Sequence, residues 1–119
     1  RRCYALGGFL RAFIQRRPAG ERVALVGSGG ISHRIGTPGH GTISRDFDLM
    51  ILRAIEQGQG QALAELGYDQ IEREGGNGGQ EVRSWIAVLG ALPGHKGEVL
   101  NYEPVPDWLV GCGTVWMHV

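Results

Sequence analysis

Apolar residues recur at helical spacing in three long stretches of the chain. In Cys3–Gln15, Leu6, Phe9, Leu10, Phe13 and Ile14 follow the i, i+3, i+4, i+7, i+8 rule of an amphipathic helix. Gly7 and Gly8 weaken that helix, each by about 1 kcal/mol against alanine, and open a route to close packing. Arg16 and Arg17 suit the negative end of its dipole, and Pro18 stops it. Phe47, Met50, Ile51, Ala54 and Ile55 form the stripe of a second helix. Ser44 is placed to cap it through its hydroxyl, and Gly58 fits the position just past its end. Val82, Trp85, Ile86, Val88 and Leu89 mark a third helix over about Gln80–Leu92. Between these, Ala62–Leu66 and Tyr68–Glu74 predict two shorter helical segments joined at Gly67.

Three stretches read as strands. Val23, Ala24, Leu25 and Val26 are continuously apolar, the pattern of a strand, Arg22–Gly27, buried on both faces. That run breaks into Gly27-Ser28-Gly29-Gly30, where the backbone can turn sharply and be approached closely. Lys96–Tyr102 and Leu109–Val119 predict two further strands. Pro104 and Pro106 between them each lack an amide donor, which favours an edge or an extended connection. Helices alternating with strands predict an α/β fold, a central sheet flanked by helices. No internal repeat is visible.

Composition narrows the possible partners. Twelve Lys and Arg balance twelve Asp and Glu, so no basic field exists to hold nucleic acid or an anionic membrane. No apolar run approaches the roughly 20 residues that span a bilayer, and no signal-peptide pattern is visible. A cytoplasmic setting is therefore expected, with Cys3 and Cys112 as reduced thiols. A chain of 119 residues is long enough for one domain with a core. Its 21 glycines cluster at element ends, as loops built around a site would require. With Arg1 first and a helix almost at once, the chain is expected to be a piece of a longer protein, an incomplete domain.

The residues able to carry chemistry are few. Glu81 follows Gly75-Gly76-Asn77-Gly78-Gly79 and falls in a first helical turn, whose free amides and dipole favour an anion. It is either a metal ligand or an ordinary first-turn glutamate. His33 lies just past a strand and a glycine turn, where ligands of open α/β sheets bind. It reads as an acid–base group, a ligand or a polar loop residue. His40 sits among glycines, and His95 and His118 look like surface residues without a partner. By count alone, His33, His40 and Glu81 satisfy the two-histidine, one-carboxylate set of non-haem iron(II) oxygenases. The turn Gly27–Gly30 suggests a phosphate cradle, but it lacks the dinucleotide and P-loop fingerprints.

Three blocks together carry a resemblance: Val26-Gly27-Ser28-Gly29-Gly30-Ile31-Ser32-His33, Gly78-Gly79-Gln80-Glu81-Val82-Arg83-Ser84-Trp85 and Tyr102-Glu103-Pro104-Val105-Pro106. Their order and spacing, with Asp46-Phe47-Asp48 and Gly90-Ala91-Leu92 between them, resemble the C-terminal part of class III extradiol ring-cleavage dioxygenases, the group of the protocatechuate 4,5-dioxygenase beta subunit. The resemblance covers nearly the whole chain and makes residues 1–119 the C-terminal part of one catalytic domain. It implies iron(II) held by two histidines and one glutamate, with a catechol-type aromatic substrate, protocatechuate- or gallate-like, and dioxygen as reactants. It also implies a homo- or hetero-oligomer at full length. Glu81 matches the ligand glutamate, and His33 matches the histidine that moves protons during ring opening. The family's two ligand histidines lie upstream of the first block, where this chain has none. The residues alone are therefore expected to be inactive on catechols, to bind iron weakly and to associate. The alternative is a non-catalytic fragment or binding module that keeps the fold without the metal.

Overall fold

Two apolar helix faces set the core. In the computed structural model, which describes all of residues 1–119, α2 (Arg45–Glu56) buries Phe47, Ile51, Leu52, Ala54 and Ile55. Helix α5 (Val82–Ala91) buries Val82, Trp85, Ile86 and Leu89. These faces join Ile31, Leu63, Ala64 and Ile71 in one cluster. Leu63 and Ala64 come from α3 (Gly60–Ala64), and Ile71 from α4 (Tyr68–Gly75). Helix α1 (Arg2–Ile14) packs on α5. A 3-10 turn, Asn77–Glu81, leads into α5. The sheet has two antiparallel strands, β1 (Gly97–Val105) and β2 (Val110–Met117), joined by a 3-10 turn at Pro106–Trp108. Val99, Tyr102, Val115 and Met117 lean on the core from one face of this hairpin. The class is α/β, as expected. No helix is long and apolar enough to cross a membrane.

The end of α2 shows local sequence deciding local structure. Gly58 adopts φ +73°, the left-handed region that glycine enters without a Cβ clash. Its amide donates to Ile55 O at 3.0 Å, and the Gln59 amide to Ala54 O at 2.8 Å. That pair of bonds is the Schellman termination. At the other end, Ser44 holds the N-cap position but its hydroxyl does not cap the helix. The hydroxyl instead accepts from Arg34 Nη1 at 2.6 Å, because Arg34 crosses the helix start to reach the carbonyls of Arg73 and Glu74.

Three further expectations are corrected. Arg22–Gly27 is not a strand: it forms no backbone–backbone hydrogen bond, and Val23 and Val26 are 48% and 79% exposed. A β-branched run becomes a strand only when a ladder satisfies its amides, and no other strand pairs with this one. The pairing starts later. Ile31 N donates to Gly111 O and Gly111 N to Ser32 O, each at 2.9 Å, and His33 bridges Val110. The predicted face of α1 is also not buried: Leu6, Phe9 and Phe13 are 52%, 72% and 57% exposed. Helix α1 turns its glycine side to α5 instead. A Cβ on Gly7 would fall on the Ala87 carbonyl oxygen, and one on Gly90 on the Tyr4 carbonyl oxygen. Two facing glycines allow an approach that no larger residue allows. The strand predicted at Lys96–Tyr102 runs on to Val105, so Pro104 lies inside it, and Pro106 opens the 3-10 turn. Cys3 and Cys112 are free thiols.

The α1–α5 crossing yields a test. Gly7→Val forces a side chain into backbone atoms that no rotamer can avoid, and should destabilise by about 1–3 kcal/mol. Gly8→Ala meets only Gly90 O, at 4.0 Å, and should be neutral or mildly stabilising. The urea midpoint should therefore fall for Gly7→Val and stay level or rise slightly for Gly8→Ala.

Candidate active site

The glycine turn Gly27–Gly30 runs across the start of α5 and is pinned there by three bonds. Ser84 Oγ donates to Ser28 O at 2.6 Å, and Trp85 Nε1 to Gly29 O at 3.2 Å. Gly30 N donates to Glu81 Oε2 at 2.6 Å. Gly29 has φ +134°, and a Cβ there would stand 2.8 Å from the Glu81 Cβ. The turn thus needs glycine both for its conformation and for its contact with the glutamate. Glu81 is exposed at the junction of the 3-10 turn and α5, with one carboxylate oxygen held by Gly30. The Gly30 amide of this turn thus meets the chain's own carboxylate.

His33 follows the turn and is clamped through its backbone. Its amide donates to Gly75 O at 2.8 Å, and its carbonyl accepts from Gly78 N at 2.9 Å. A Cβ on Gly78 would lie 2.7 Å from His33 Cβ and 2.8 Å from Cγ, so the glycine makes room for the imidazole. Both ring nitrogens are buried and neither has a hydrogen-bond partner. A buried polar group left unpaired is rare in native structures and requires a reason.

Asp48 is the buried group that the hydrophobic pattern did not single out. It lies within the apolar stripe of α2, fully buried. Its Oδ1 accepts from Ser32 N at 2.7 Å, and its Oδ2 from Ser32 Oγ at 3.0 Å and Tyr102 Oη at 2.7 Å. Ser32 Oγ in turn accepts from Ser44 N at 2.9 Å. A Cβ on Gly111 would fall on Asp48 Oδ2, so β2 must carry glycine opposite the carboxylate. Burial pushes the Asp48 carboxyl above the usual aspartate range, while the bonds from Tyr102 and Ser32 oppose that shift. Burial first, then the Asp48 carboxylate, pushes the Tyr102 hydroxyl and the Cys112 thiol up. The signal was present as an aspartate between the core residues Phe47 and Ile51, a position where helix periodicity calls for an apolar residue.

The other histidines do not join the site. His40 is exposed, and its Nδ1 accepts from Gly36 N at 3.1 Å within its own loop. His95 and His118 do have partners: His95 Nδ1 donates to His118 O at 2.8 Å, and His118 Nε2 lies 3.2 Å from Glu98 Oε2. No three His, Cys, Asp or Glu side chains come together as a metal-holding group. The set His33, His40 and Glu81 is thus not assembled, and the residues of this chain do not by themselves fit a complete iron site.

What the fold defines is an α/β domain in which the connection before α2 carries a glycine turn and an unpartnered imidazole, and the segment between α4 and α5 brings a carboxylate against that turn. The chain belongs to the family described as the catalytic LigB subunit of aromatic ring-opening dioxygenase, whose model matches residues 1–113. It is similar to the 2,3-dihydroxyphenylpropionate/2,3-dihydroxicinnamic acid 1,2-dioxygenase of Cupriavidus necator, 26% identical over 160 residues, covering 97% of this chain and 50% of that protein. It is also similar to the gallate dioxygenase of Pseudomonas putida, 34% identical over 92 residues, covering 77% of this chain and 27% of that protein. The dihydroxyphenylpropionate enzyme of Photorhabdus laumondii is 36% identical over 76 residues, 61% of this chain and 24% of that protein. The chain spans about half the length, at most, of these relatives.

The Asp48 node has a pH signature. Its carboxyl is held above its unfolded value, so the folded state binds the proton more tightly. The stability that this proton contributes is complete below the unfolded value of about 4. It is lost as pH rises through the raised folded value. Asp48→Asn should remove that downward slope, seen as a urea midpoint less dependent on pH above about 4 than in the unaltered protein.

Proposed function

We propose that these residues form part of a non-haem iron(II) extradiol dioxygenase, which opens a catechol-type ring beside its two hydroxyls with dioxygen. In this reading Glu81 is one iron ligand and His33 moves protons, while the two histidine ligands lie outside residues 1–119. The observation that carries it is the pairing of two loops in a chain of this family. One holds Glu81 by a single oxygen against Gly30. The other buries His33 with both ring nitrogens free. Iron, when bound, would supply a common site for the catechol hydroxyls and dioxygen. The relatives' names, gallate and 2,3-dihydroxyphenylpropionate, point to an aromatic acid with adjacent hydroxyls as the substrate class. An oligomer belongs to the same reading, since Leu6, Phe9 and Phe13 leave α1 with an uncovered apolar face.

The roles of the two residues separate experimentally in the whole protein. Glu81→Gln keeps the shape but removes the charge that binds a hard cation, so the purified variant should lose its iron. A full equivalent of iron in that variant would refute the ligand assignment. His33→Ala should keep its iron and lose turnover by roughly 100-fold or more, the usual contribution of a positioned acid–base group. Loss of metal instead would make His33 a ligand. A whole protein that neither holds iron nor turns over catechols would favour the non-catalytic binding module.

A further inference from the structure

We propose that Asp48 and Tyr102 are positioning residues for His33, acting through Ser32. The inference rests on the reading of His33 as the proton-moving group. A working histidine usually has one ring nitrogen bonded to a carboxylate or carbonyl that sets its tautomer and orientation. His33 has no such bond on either nitrogen. Its ring direction is therefore set by the backbone that carries it and by the glycine surface at Gly78.

That backbone is held on three sides. His33 itself is bonded to Gly75 O and Gly78 N. Ile31 and Ser32 pair with Gly111 of β2. The remaining side belongs to Asp48, which takes both the amide and the hydroxyl of Ser32, the residue directly before His33. Asp48 comes from α2 and is locked in turn by the Tyr102 hydroxyl from β1. Together they fix the peptide leading into His33 against two separate elements. The orienting carboxylate sits one residue back along the chain instead of on the ring. Ser32 is fully buried, so water does not substitute for the carboxylate there. A displacement near 1 Å at a reacting group is enough to lower a rate by about 100-fold, so a modest loosening of this clamp has a kinetic effect.

Tyr102→Phe is the gentlest test, since it removes one hydroxyl, leaves no large cavity and keeps Asp48 in place. In the iron-loaded whole protein, kcat should fall about 10-fold, with KM for the catechol within about twofold and iron content unchanged. The same substitution is then made in the His33→Ala background. If Tyr102 acts through His33, the double variant turns over at the rate of His33→Ala alone. Ser32→Ala, which removes the hydroxyl bonded to Asp48, should show the same dependence on His33. An equal further drop in both backgrounds, or no drop in the unaltered protein, overturns the inference. Failure of the underlying reading is seen separately: His33→Ala alone would keep full turnover, and the positioning role would fall with it.

Discussion

The structure depends on one buried carboxylate. Asp48 joins α2 to the loop at Ser32 and to Tyr102 of β1, and β2 passes over it at Gly111. Taking a carboxylate out of water is unfavourable unless its oxygens are met by donors. Here three donors meet them, from two elements, so the node is satisfied only when those elements are in register. The apolar core around Ile51, Ile55, Trp85 and Leu89 would tolerate some sliding of helix on sheet; the node does not. This converts a small hydrophobic core into one arrangement.

Glycine serves contact here more than turning. Gly7 and Gly90 let α1 and α5 touch backbone to backbone, Gly78 accommodates the His33 ring, and Gly111 accommodates Asp48. Only some of the 21 glycines, such as Gly29, Gly58 and Gly76, need a positive φ. At Gly29 both demands coincide, and its neighbour's amide holds the site's exposed carboxylate. The glycine content thus follows from how closely loops and helices must approach the residues of the site.

Much of the candidate site was legible before the structure. Glu81 could be placed at a helix start by the glycines before it and the stripe after it, and it lies there. His33 could be placed after a glycine turn, and it lies there too. The unpaired state of its ring could not be read, because burial and hydrogen bonding depend on Gly75 and Gly78, more than forty residues away. His95 looked solitary for the same reason: its partner, the His118 carbonyl, is brought near only by the hairpin.

The sequence by itself determined the local elements. Stripes of apolar residues produced α2 and α5, Gly58 ended α2, and alternation with a proline-containing turn produced the hairpin. These outcomes are governed by residues within one or two turns of each other, so they can be read along the chain. Tertiary structure decided what local pattern left open. Val23–Val26 had the composition of a strand but acquired no ladder, since a strand requires a neighbour that composition cannot specify. The apolar stripe of α1 lost to its glycine side, because contact distance against α5 governed the packing. Asp48, an acid in an apolar stripe, is stable there only because Ser32 and Tyr102 arrive from distant parts of the chain to satisfy it.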